Sequence, residues 1–376
     1  EPGQVVGVEH HRLLVDLGVP GDHRQREPCI VDRTHGAHLA PSRARYDQGV
    51  PPTLISIDDI RSAARRLDGA VVRTPLLAAD WGDPQRPLWL KPESLQAIGA
   101  FKVRGALNAI GRLDADEQRR GVVAYSSGNH AQAVAYAAAR FGLRAHIVMP
   151  EETPRIKIER TRAHGAEVVL CGMGRREAVA AELVEQTGAT LIPPFDHPDV
   201  IAGQGTIGLE IAEDRPDVAN VVIPVSGGGL ASGIGTAIRA LCPNAQIFGV
   251  EPELAADTAA GLRRGIRVDM PIEDRNRTIA DGLRSQPSEL TFAHLQHVLT
   301  DVLTVSEDEI RSAVAELAFK ARLVAEPSGA VALAAYRRHR MPAGPTVVIV
   351  SGGNIEPTLL TEILAESAAV GEDQRD

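Results

Sequence analysis

The chain has 376 residues, of which 44% are hydrophobic, and a formal net charge of −9 at pH 7. That length supplies enough apolar surface for a large core and suggests two domains or one large α/β unit. An acidic chain with only 3% aromatic residues argues against nucleic acid as a partner, because that partner requires basic patches and aromatic stacking surfaces.

Cysteines occur only at the widely spaced positions Cys29, Cys171 and Cys242, which predicts neither a disulfide framework nor a zinc site. No apolar run reaches the roughly 18 residues of a membrane span, and the start of the chain lacks the pattern of a signal peptide. We therefore expect a cytoplasmic protein without a membrane partner. Residues 1–52 show no clear periodicity and are expected to form a poorly packed N-terminal extension.

From Ile57 onward, apolar and charged residues alternate at helical spacing, with Ser56 as a cap. Short apolar runs and helical stretches then alternate, which is typical of an α/β fold with parallel strands. The predicted strands cover residues 122–125, 145–149, 168–170, 221–225, 246–250 and 346–350. The predicted helices cover residues 129–140, 154–162, 175–185, 230–241 and 307–321.

Polar, glycine-containing turns follow three of the predicted strands, at residues 126–130, 226–229 and 351–354. In open parallel sheets, ligands bind beyond the carboxyl ends of the strands. The three consecutive glycines of the second turn precede a predicted helix, so their N–H groups and the helix dipole could converge on a phosphate. Taken alone, this turn is equally consistent with a structural turn that needs positive φ.

Lys102 is one of only four lysines, since arginine supplies nearly all the basic side chains. It lies in an apolar, glycine-rich segment at the start of a helical run. Apolar neighbours and a helix N-terminus both disfavour the ammonium form and lower the pKa of the amine. A neutral amine can bond covalently to an aldehyde, whereas the alternative interpretation is an ordinary surface lysine.

The other two turns also carry candidate groups. N–H groups in the turn Ser127-Gly128-Asn129-His130 suit a carboxylate, and the Ser127 hydroxyl could transfer a proton. Ser351, after the last predicted strand, could hydrogen-bond a heterocyclic nitrogen without enforcing its protonation, which would favour loss of a β-leaving group over transamination. The alternatives are simple N-capping and a turn that merely closes a strand.

These four motifs in this order resemble the fold-type II enzymes that use pyridoxal 5′-phosphate (PLP), whose best-known member is the tryptophan synthase β subunit. Over residues 53–366 the sequence is most similar to the serine/threonine dehydratases and serine racemases. The resemblance implies an α/β fold with two open, twisted, mainly parallel sheets flanked by helices. It also implies a large PLP-binding domain (53–114 and 198–366), a small mobile domain (115–197) and a tail (367–376).

The resemblance further assigns roles to individual residues. Lys102 corresponds to the lysine that binds PLP covalently and Ser127 to the serine on the opposite face, which makes both catalytic candidates. The implied substrate-binding residues are Ser127, Gly128, Asn129 and His130. The implied cofactor-binding residues are Phe101, Lys102, Asn129, Gly227, Gly228, Gly229, Leu230, Glu326 and Ser351. The sequence departs from many family members at Ala100, where they have serine, and at Ser226, where they have a fourth glycine.

Glu251, the Ala255 carbonyl and Asp257 predict a metal site. They follow a predicted strand, and oxygen ligands suit Mg²⁺, Mn²⁺ or Ca²⁺. Their spacing is similar to that of the metal site of serine racemases and related dehydratases. The alternative is a solvated helix start, where acidic residues are common.

The function that the resemblance implies is that of a PLP-dependent ammonia-lyase acting on L-threonine and L-serine, with a homodimer as the expected assembly. Serine racemase activity and threo-3-hydroxyaspartate ammonia-lyase activity are alternatives, the latter with Arg175 or Arg176 on the second carboxylate. A non-catalytic PLP-binding protein is a further alternative, against which the presence of Lys102 and Ser127 argues. Only 22 residues follow Asn354, so we expect no added regulatory domain there.

Overall fold

Two sheets arise from the alternation of apolar runs and helices. The computed structural model describes residues 52–373, so the predicted extension lies almost wholly outside the described residues. The strands are β1 (Leu77–Asp83), β2 (Arg86–Pro92), β3 (Val122–Tyr125), β4 (Ala145–Pro150), β5 (Glu167–Cys171), β6 (Thr190–Leu191), β7 (Asn220–Pro224), β8 (Gln246–Pro252), β9 (Asp301–Val305) and β10 (Thr346–Val350).

Helices cover both sheets, and many begin at a side-chain cap such as Ser56, Ser288 or Ser306. They are α1 (Ile57–Leu67), α2 (Lys102–Ile110), α3 (Ala115–Arg120), α4 (Asn129–Phe141), α5 (Arg155–Ala163), α6 (Arg176–Thr187), α7 (Pro198–Asp214), α8 (Gly229–Leu241), α9 (Asp257–Arg264), α10 (Ile272–Arg275), α11 (Glu289–Val298), α12 (Glu307–Glu316), α13 (Pro327–Arg338) and α14 (Pro357–Asp373). Among residues 52–373, no helix combines the length and the apolar character needed to cross a membrane.

The larger sheet has the strand order β1-β2-β10-β7-β8-β9, and the smaller one has the order β5-β4-β3-β6. Only the β1–β2 pair is antiparallel within the described chain. Strands β7 and β10 are buried along their whole length, as expected of parallel strands with helices on both faces. The predicted fold class, two open and mainly parallel sheets flanked by helices, is confirmed.

The strand order reverses once in each sheet. In the larger sheet, β8 and β10 flank β7, and in the smaller sheet β4 and β6 flank β3. Helices on the two sides of such a reversal diverge and leave a crevice beyond the strand ends, which is where open α/β sheets bind ligands. The turns that leave β3, β6, β7 and β10 are therefore the ones positioned to form a site.

Glycines bring two of the helices that begin at this crevice into backbone contact with α7. A Cβ atom on Gly203 of α7 would lie 2.7 Å from the Arg104 carbonyl oxygen of α2. A Cβ atom on Gly233 of α8 would lie 2.3 Å from the Ile201 carbonyl oxygen of α7. Because real Cβ atoms cannot approach so closely, only glycine permits this packing, and it fixes the starts of α2 and α8 relative to each other.

All six predicted strands are present, but β1, β2, β6 and β9 are additional to the prediction. The helix predicted over 307–321 ends at Glu316 and continues as a π-helical turn, Leu317–Ala321. The next residue, Arg322, has a positive φ of 57°, which stops the helix. The strands of the smaller sheet fall within residues 115–197, and the division into a large and a small mobile domain stays a prediction.

Candidate active site

Lys102 is the first residue of α2, and its half-buried side chain points toward the turn after β6. Its Nζ donates a hydrogen bond to the Pro194 carbonyl oxygen at 2.7 Å and lies 5.1 Å from the centre of the Phe101 ring. Burial lowers the pKa of the Lys102 amine to about 8. About a tenth of this amine is therefore neutral at pH 7 and able to act as a nucleophile, far more than for an unperturbed lysine.

The other three lysines are all paired with carboxylates. The Nζ atoms of Lys91, Lys157 and Lys320 lie 2.6 to 2.9 Å from a Glu or Asp oxygen. Lys102 has no such partner among the described residues. A carboxylate would stabilise the ammonium form, so its absence keeps the Lys102 amine available for covalent chemistry.

The glycine turn after β7 lies against Phe195, the residue that follows Pro194. A Cβ atom on Gly227 would lie 2.2 Å from Phe195 Cδ1, and one on Gly229 would lie 2.9 Å from Phe195 Cβ. Gly228 has a φ of 86°, which side chains rarely adopt. Lys102 and the glycine turn thus both contact the strip Pro194–Phe195, although they are about 125 positions apart in the sequence.

Flanking residues complete this turn. Leu230, in the first turn of α8, is buried. Ser226 replaces the fourth glycine of many family members, and its hydroxyl donates to the Ser285 carbonyl oxygen at 2.9 Å while accepting from the Ser285 N–H at 3.0 Å. The N-terminus of α8 together with the glycine N–H groups forms a setting that suits a phosphate.

The turn after β3 presents its backbone to open space. A Cβ atom on Gly128 would meet nothing within 4 Å, and α4 begins at the next residue. The Gly128 N–H donates to the Ser126 hydroxyl at 3.2 Å. The half-buried Ser127 hydroxyl has no hydrogen-bond partner among residues 52–369. This helix start is open enough to bind a carboxylate.

His130 is buried in the first turn of α4, and its Nε2 lies 2.8 Å from the Ile192 carbonyl oxygen. Burial and the nearby Lys102 charge lower the pKa of the imidazole to about 3, so the ring is neutral at pH 7. Since a carbonyl can only accept, Nε2 carries the hydrogen and Nδ1 does not. His130 therefore ties the turn after β3 to the segment after β6 rather than supplying a charge.

The turn after β10 joins the remaining candidates. Asn129 Nδ2 donates to Glu326 Oε1 at 2.6 Å, and Asn354 Nδ2 donates to Asn129 Oδ1 at 2.8 Å. Burial, followed by the charge of Asp281, raises the pKa of the Glu326 carboxyl to about 7. A Cβ atom on Gly352 would lie 2.3 Å from Glu326 Oε1, so glycine is required for this contact.

The same turn is bonded to the start of α2. Ala100 and Gly352 form an isolated β-bridge, and the Phe101 N–H donates to the Ser351 carbonyl oxygen at 3.1 Å. Ser351 is buried, and its hydroxyl makes a long 3.4 Å contact with the Ser328 carbonyl oxygen. That weak contact leaves the hydroxyl available for a better partner, such as a ring nitrogen.

The predicted metal ligands lie in a different place, at the end of β8. Glu251 is buried, and its carboxylate accepts the N–H groups of Thr258 and Ala259 at 3.0 and 2.8 Å. Burial and the neighbouring Asp257 raise the pKa of Glu251 to about 8. Within the described part of the chain, no three His, Cys, Asp or Glu side chains come together as metal ligands. The visible role of Glu251 is to cap α9, and Ala255 is a buried residue of the preceding turn.

The candidate site fits PLP. The glycine turn leaves no room for side chains and opens at a helix start, as phosphate binding requires. No carboxylate in residues 52–373 pairs with the Lys102 amine, which is therefore available to react with the aldehyde group of PLP. The family model of the pyridoxal-phosphate dependent enzymes matches residues 67–352.

The chain belongs to this family of PLP-dependent enzymes.

Other similarities agree with this assignment. The L-threonine ammonia-lyase of Thermotoga maritima is 44% identical over 320 residues, which cover 83% of this chain and 78% of that protein. A crystallised threonine deaminase from T.th. has 42% identity and a TM-score of 0.76 over 80% of this chain and 99% of that one. Maize serine racemase has 35% identity and a TM-score of 0.77 over 85% and 100%. This PLP-dependent enzyme is therefore of fold type II, and the predicted cofactor is confirmed.

Sequence patterns did not predict two contacts in the site of this PLP-dependent enzyme. Pro194 and Phe195 link Lys102 to the glycine turn, but they follow a strand of two residues that no periodicity reveals. Asn354 was part of a recognised motif, yet its bond to Asn129 joins residues 225 positions apart. The proline pair before Phe195, which ends a short strand abruptly, is the signal that could have pointed to this segment.

Proposed function

We propose that this chain is an ammonia-lyase that converts L-threonine to 2-oxobutanoate and ammonia, and L-serine to pyruvate and ammonia. The observation that carries the proposal is the Lys102 amine, which has a lowered pKa, lacks a carboxylate partner among the described residues and contacts the strip that lines the glycine turn. The relatives named L-threonine ammonia-lyase and threonine deaminase, at 42 to 44% identity, support the choice of substrate.

Bound PLP supplies an electron sink that stabilises negative charge at the substrate Cα. The N–H groups at the start of α4 bind the substrate carboxylate and orient the Cα–H bond. With PLP bound, the free Lys102 amine would accept the Cα proton. The β-hydroxyl then leaves with a proton as water, and hydrolysis of the released enamine gives the 2-oxo acid and ammonia.

Ser351 would bias the outcome toward elimination, and Glu326 positions a neighbouring side chain. A hydroxyl partner would leave the ring nitrogen of bound PLP unprotonated, which would limit how far negative charge spreads into the ring and favour early loss of the β-hydroxyl. Glu326, whose pKa is raised to about 7, holds the Asn129 amide in place beside the substrate-binding turn.

An assay on the holoenzyme with L-threonine, L-serine and threo-3-hydroxyaspartate tests this proposal. We expect 2-oxo acid and ammonia in equal amounts from L-threonine and from L-serine. Reduction of the 2-oxo acid measures elimination, and chiral amino-acid analysis measures racemisation. Formation of D-serine without 2-oxo acid would instead identify a racemase.

Racemisation is the second candidate function, favoured by one observation. The half-buried Ser127 hydroxyl has no hydrogen-bond partner among residues 52–369. By the family resemblance it corresponds to the serine on the face opposite the lysine, from which it could return a proton to the other face of Cα. Hydroxyaspartate is less well supported. Arg175 and Arg176 already pair with Glu182 and Glu177, at 3.3 and 3.0 Å.

We also propose a divalent cation at Glu251, the Ala255 carbonyl and Asp257. The support is the burial of two neighbouring carboxyl groups, neither of which forms a salt bridge within the described residues, because oxygen donors of this kind suit Mg²⁺, Mn²⁺ or Ca²⁺. A chelator should lower the melting temperature by at least about 2 °C, and Mg²⁺ should restore it. A Glu251→Gln variant should be insensitive to both additions. An equal melting temperature of the wild type with and without the chelator would rule the cation out.

The expected homodimer and cytoplasmic location belong to the same proposal. The homodimer is supported by the family resemblance, and the cytoplasmic location by apolar runs that are too short for a membrane span. Sedimentation of the holoenzyme tests the assembly.

A further inference from the structure

One salt bridge joins the smaller sheet layer to the larger one at the edge of the site. Lys157 Nζ of α5 lies 2.9 Å from Asp281 Oδ2, in the 3₁₀ turn Asp281–Leu283. The two residues are 124 positions apart, and their side chains are 19% and 47% exposed. The pair therefore connects elements that local sequence does not hold together.

The Lys157 end of this pair leads to the substrate-binding turn. Helix α5 packs on α4 through Ile158, which belongs to the same apolar cluster as the buried alanines of α4. His164, at the end of α5, also contacts the Tyr136 ring of α4 edge to face at 5.7 Å. Since α4 begins at Asn129, a displacement of α5 moves the turn Ser126–His130 with it.

The Asp281 end is fixed to the larger sheet. The Gly282 N–H donates to the Ser328 hydroxyl at 2.9 Å, and Leu283 is buried in the largest apolar cluster. Ser328 lies in the first turn of α13, whose N-cap is Glu326. Lys157 is thus connected through α5 and α4 to Asn129, and Asp281 is connected through Ser328 to Glu326. Asn129 and Glu326 contact each other inside the site.

We propose that Lys157 and Asp281 are positioning residues that hold the turn Ser126–His130 in its substrate-binding place. This inference rests on the proposed function. A partly exposed ion pair shifts an equilibrium by roughly two- to five-fold. Its loss lowers the fraction of molecules that are competent to bind substrate, and the apparent affinity falls by the same factor. We expect kcat, which reports the chemistry of the bound state, to change little.

The test uses the holoenzyme with Lys157→Glu, with Asp281→Lys and with both changes together. Each single variant should raise KM for L-threonine about 3-fold or more while kcat stays within about 2-fold. The double variant should restore KM, because the charges are exchanged. Lys320→Met removes a pair of equal length, to Glu316 at 2.9 Å, within one helical segment, and should leave both constants unchanged.

Hydrogen exchange of the peptide that contains residues 126–130 provides a second measurement that needs no turnover. Exchange should be faster in both single variants and return to the wild-type rate in the double variant. Wild-type KM and exchange in the single variants, or a double variant no better than the worse single one, would overturn the positioning role. A wild type that releases no 2-oxo acid would refute the proposed function, and the exchange data would then still decide whether the pair holds the turn.

Discussion

Replacement of Lys102 with alanine is expected to lower the release of 2-oxo acid from L-threonine by at least about 10³-fold. The variant loses both the covalent attachment of the cofactor and the group that accepts the Cα proton, and general base catalysis alone is typically worth about 10²- to 10⁴-fold. The absorption band of the protein-bound cofactor should shift to that of free aldehyde. Initial rates and a visible spectrum of the purified variant measure both effects.

The matched control for this prediction is Lys91→Met or Lys320→Ala. Lys320 lies on the surface with Glu316, so its loss should leave the rate unchanged. Lys91 is buried with Glu210 at 2.6 Å, so its loss should reduce stability but keep the cofactor band. Retained turnover with an unchanged band in Lys102→Ala would refute the assignment of Lys102.

Gly227→Ala is expected to weaken PLP binding by about 10- to 100-fold, which corresponds to the loss of one charge-assisted hydrogen bond. The new Cβ would lie 2.2 Å from the Phe195 ring, so either the ring or the turn has to move. A displaced turn no longer aims its N–H groups at the phosphate. Dialysis against cofactor-free buffer, followed by titration with PLP, measures the change.

The cause of that loss can be separated from a general disturbance of the fold. In a Phe195→Ala background the same Gly227→Ala change should cost much less affinity, because the ring that collides with the new methyl group is gone. Gly172→Ala is the control, since a Cβ there would meet nothing within 4 Å. Equal PLP affinity in Gly227→Ala and wild type would show that the turn does not hold the phosphate.

Local patterns were sufficient to predict the alternation of strands and helices and the three glycine turns. Strand 346–350 matches the observed β10 at both ends, because a fully apolar run between polar turns has one plausible interpretation. Strand β6 has only two residues, too few for any periodicity. Strands β1 and β2 contain Asp, Gly, Pro and Lys, which are depleted in strands, and they are strands because of their neighbours rather than their own propensity.

Contacts between distant segments could not be predicted in the same way. The turns of Lys102, Asn129 and Ser351 were recognised as site elements because each carries its own motif. Their mutual bonds, such as Asn129–Glu326, depend on how two sheets meet. The buried cluster in which Arg104 binds Glu93 and Glu210 at 2.8 and 2.6 Å was also missed, because charged residues normally predict a solvated surface.

The glycine-mediated packing of α2 and α8 on α7 has a consequence for cofactor fit. Lys102, whose amine is predicted to bind the aldehyde end of the cofactor, begins α2, and the glycine turn predicted to bind the phosphate end precedes α8. Both helices pack on α7. Helix α7 thus sets the distance between Lys102 and the glycine turn, although it supplies none of the predicted cofactor ligands. A bulkier residue at Gly203 or Gly233 would alter that distance. Because the cofactor has a fixed length, it would then lose its contact with either Lys102 or the glycine turn.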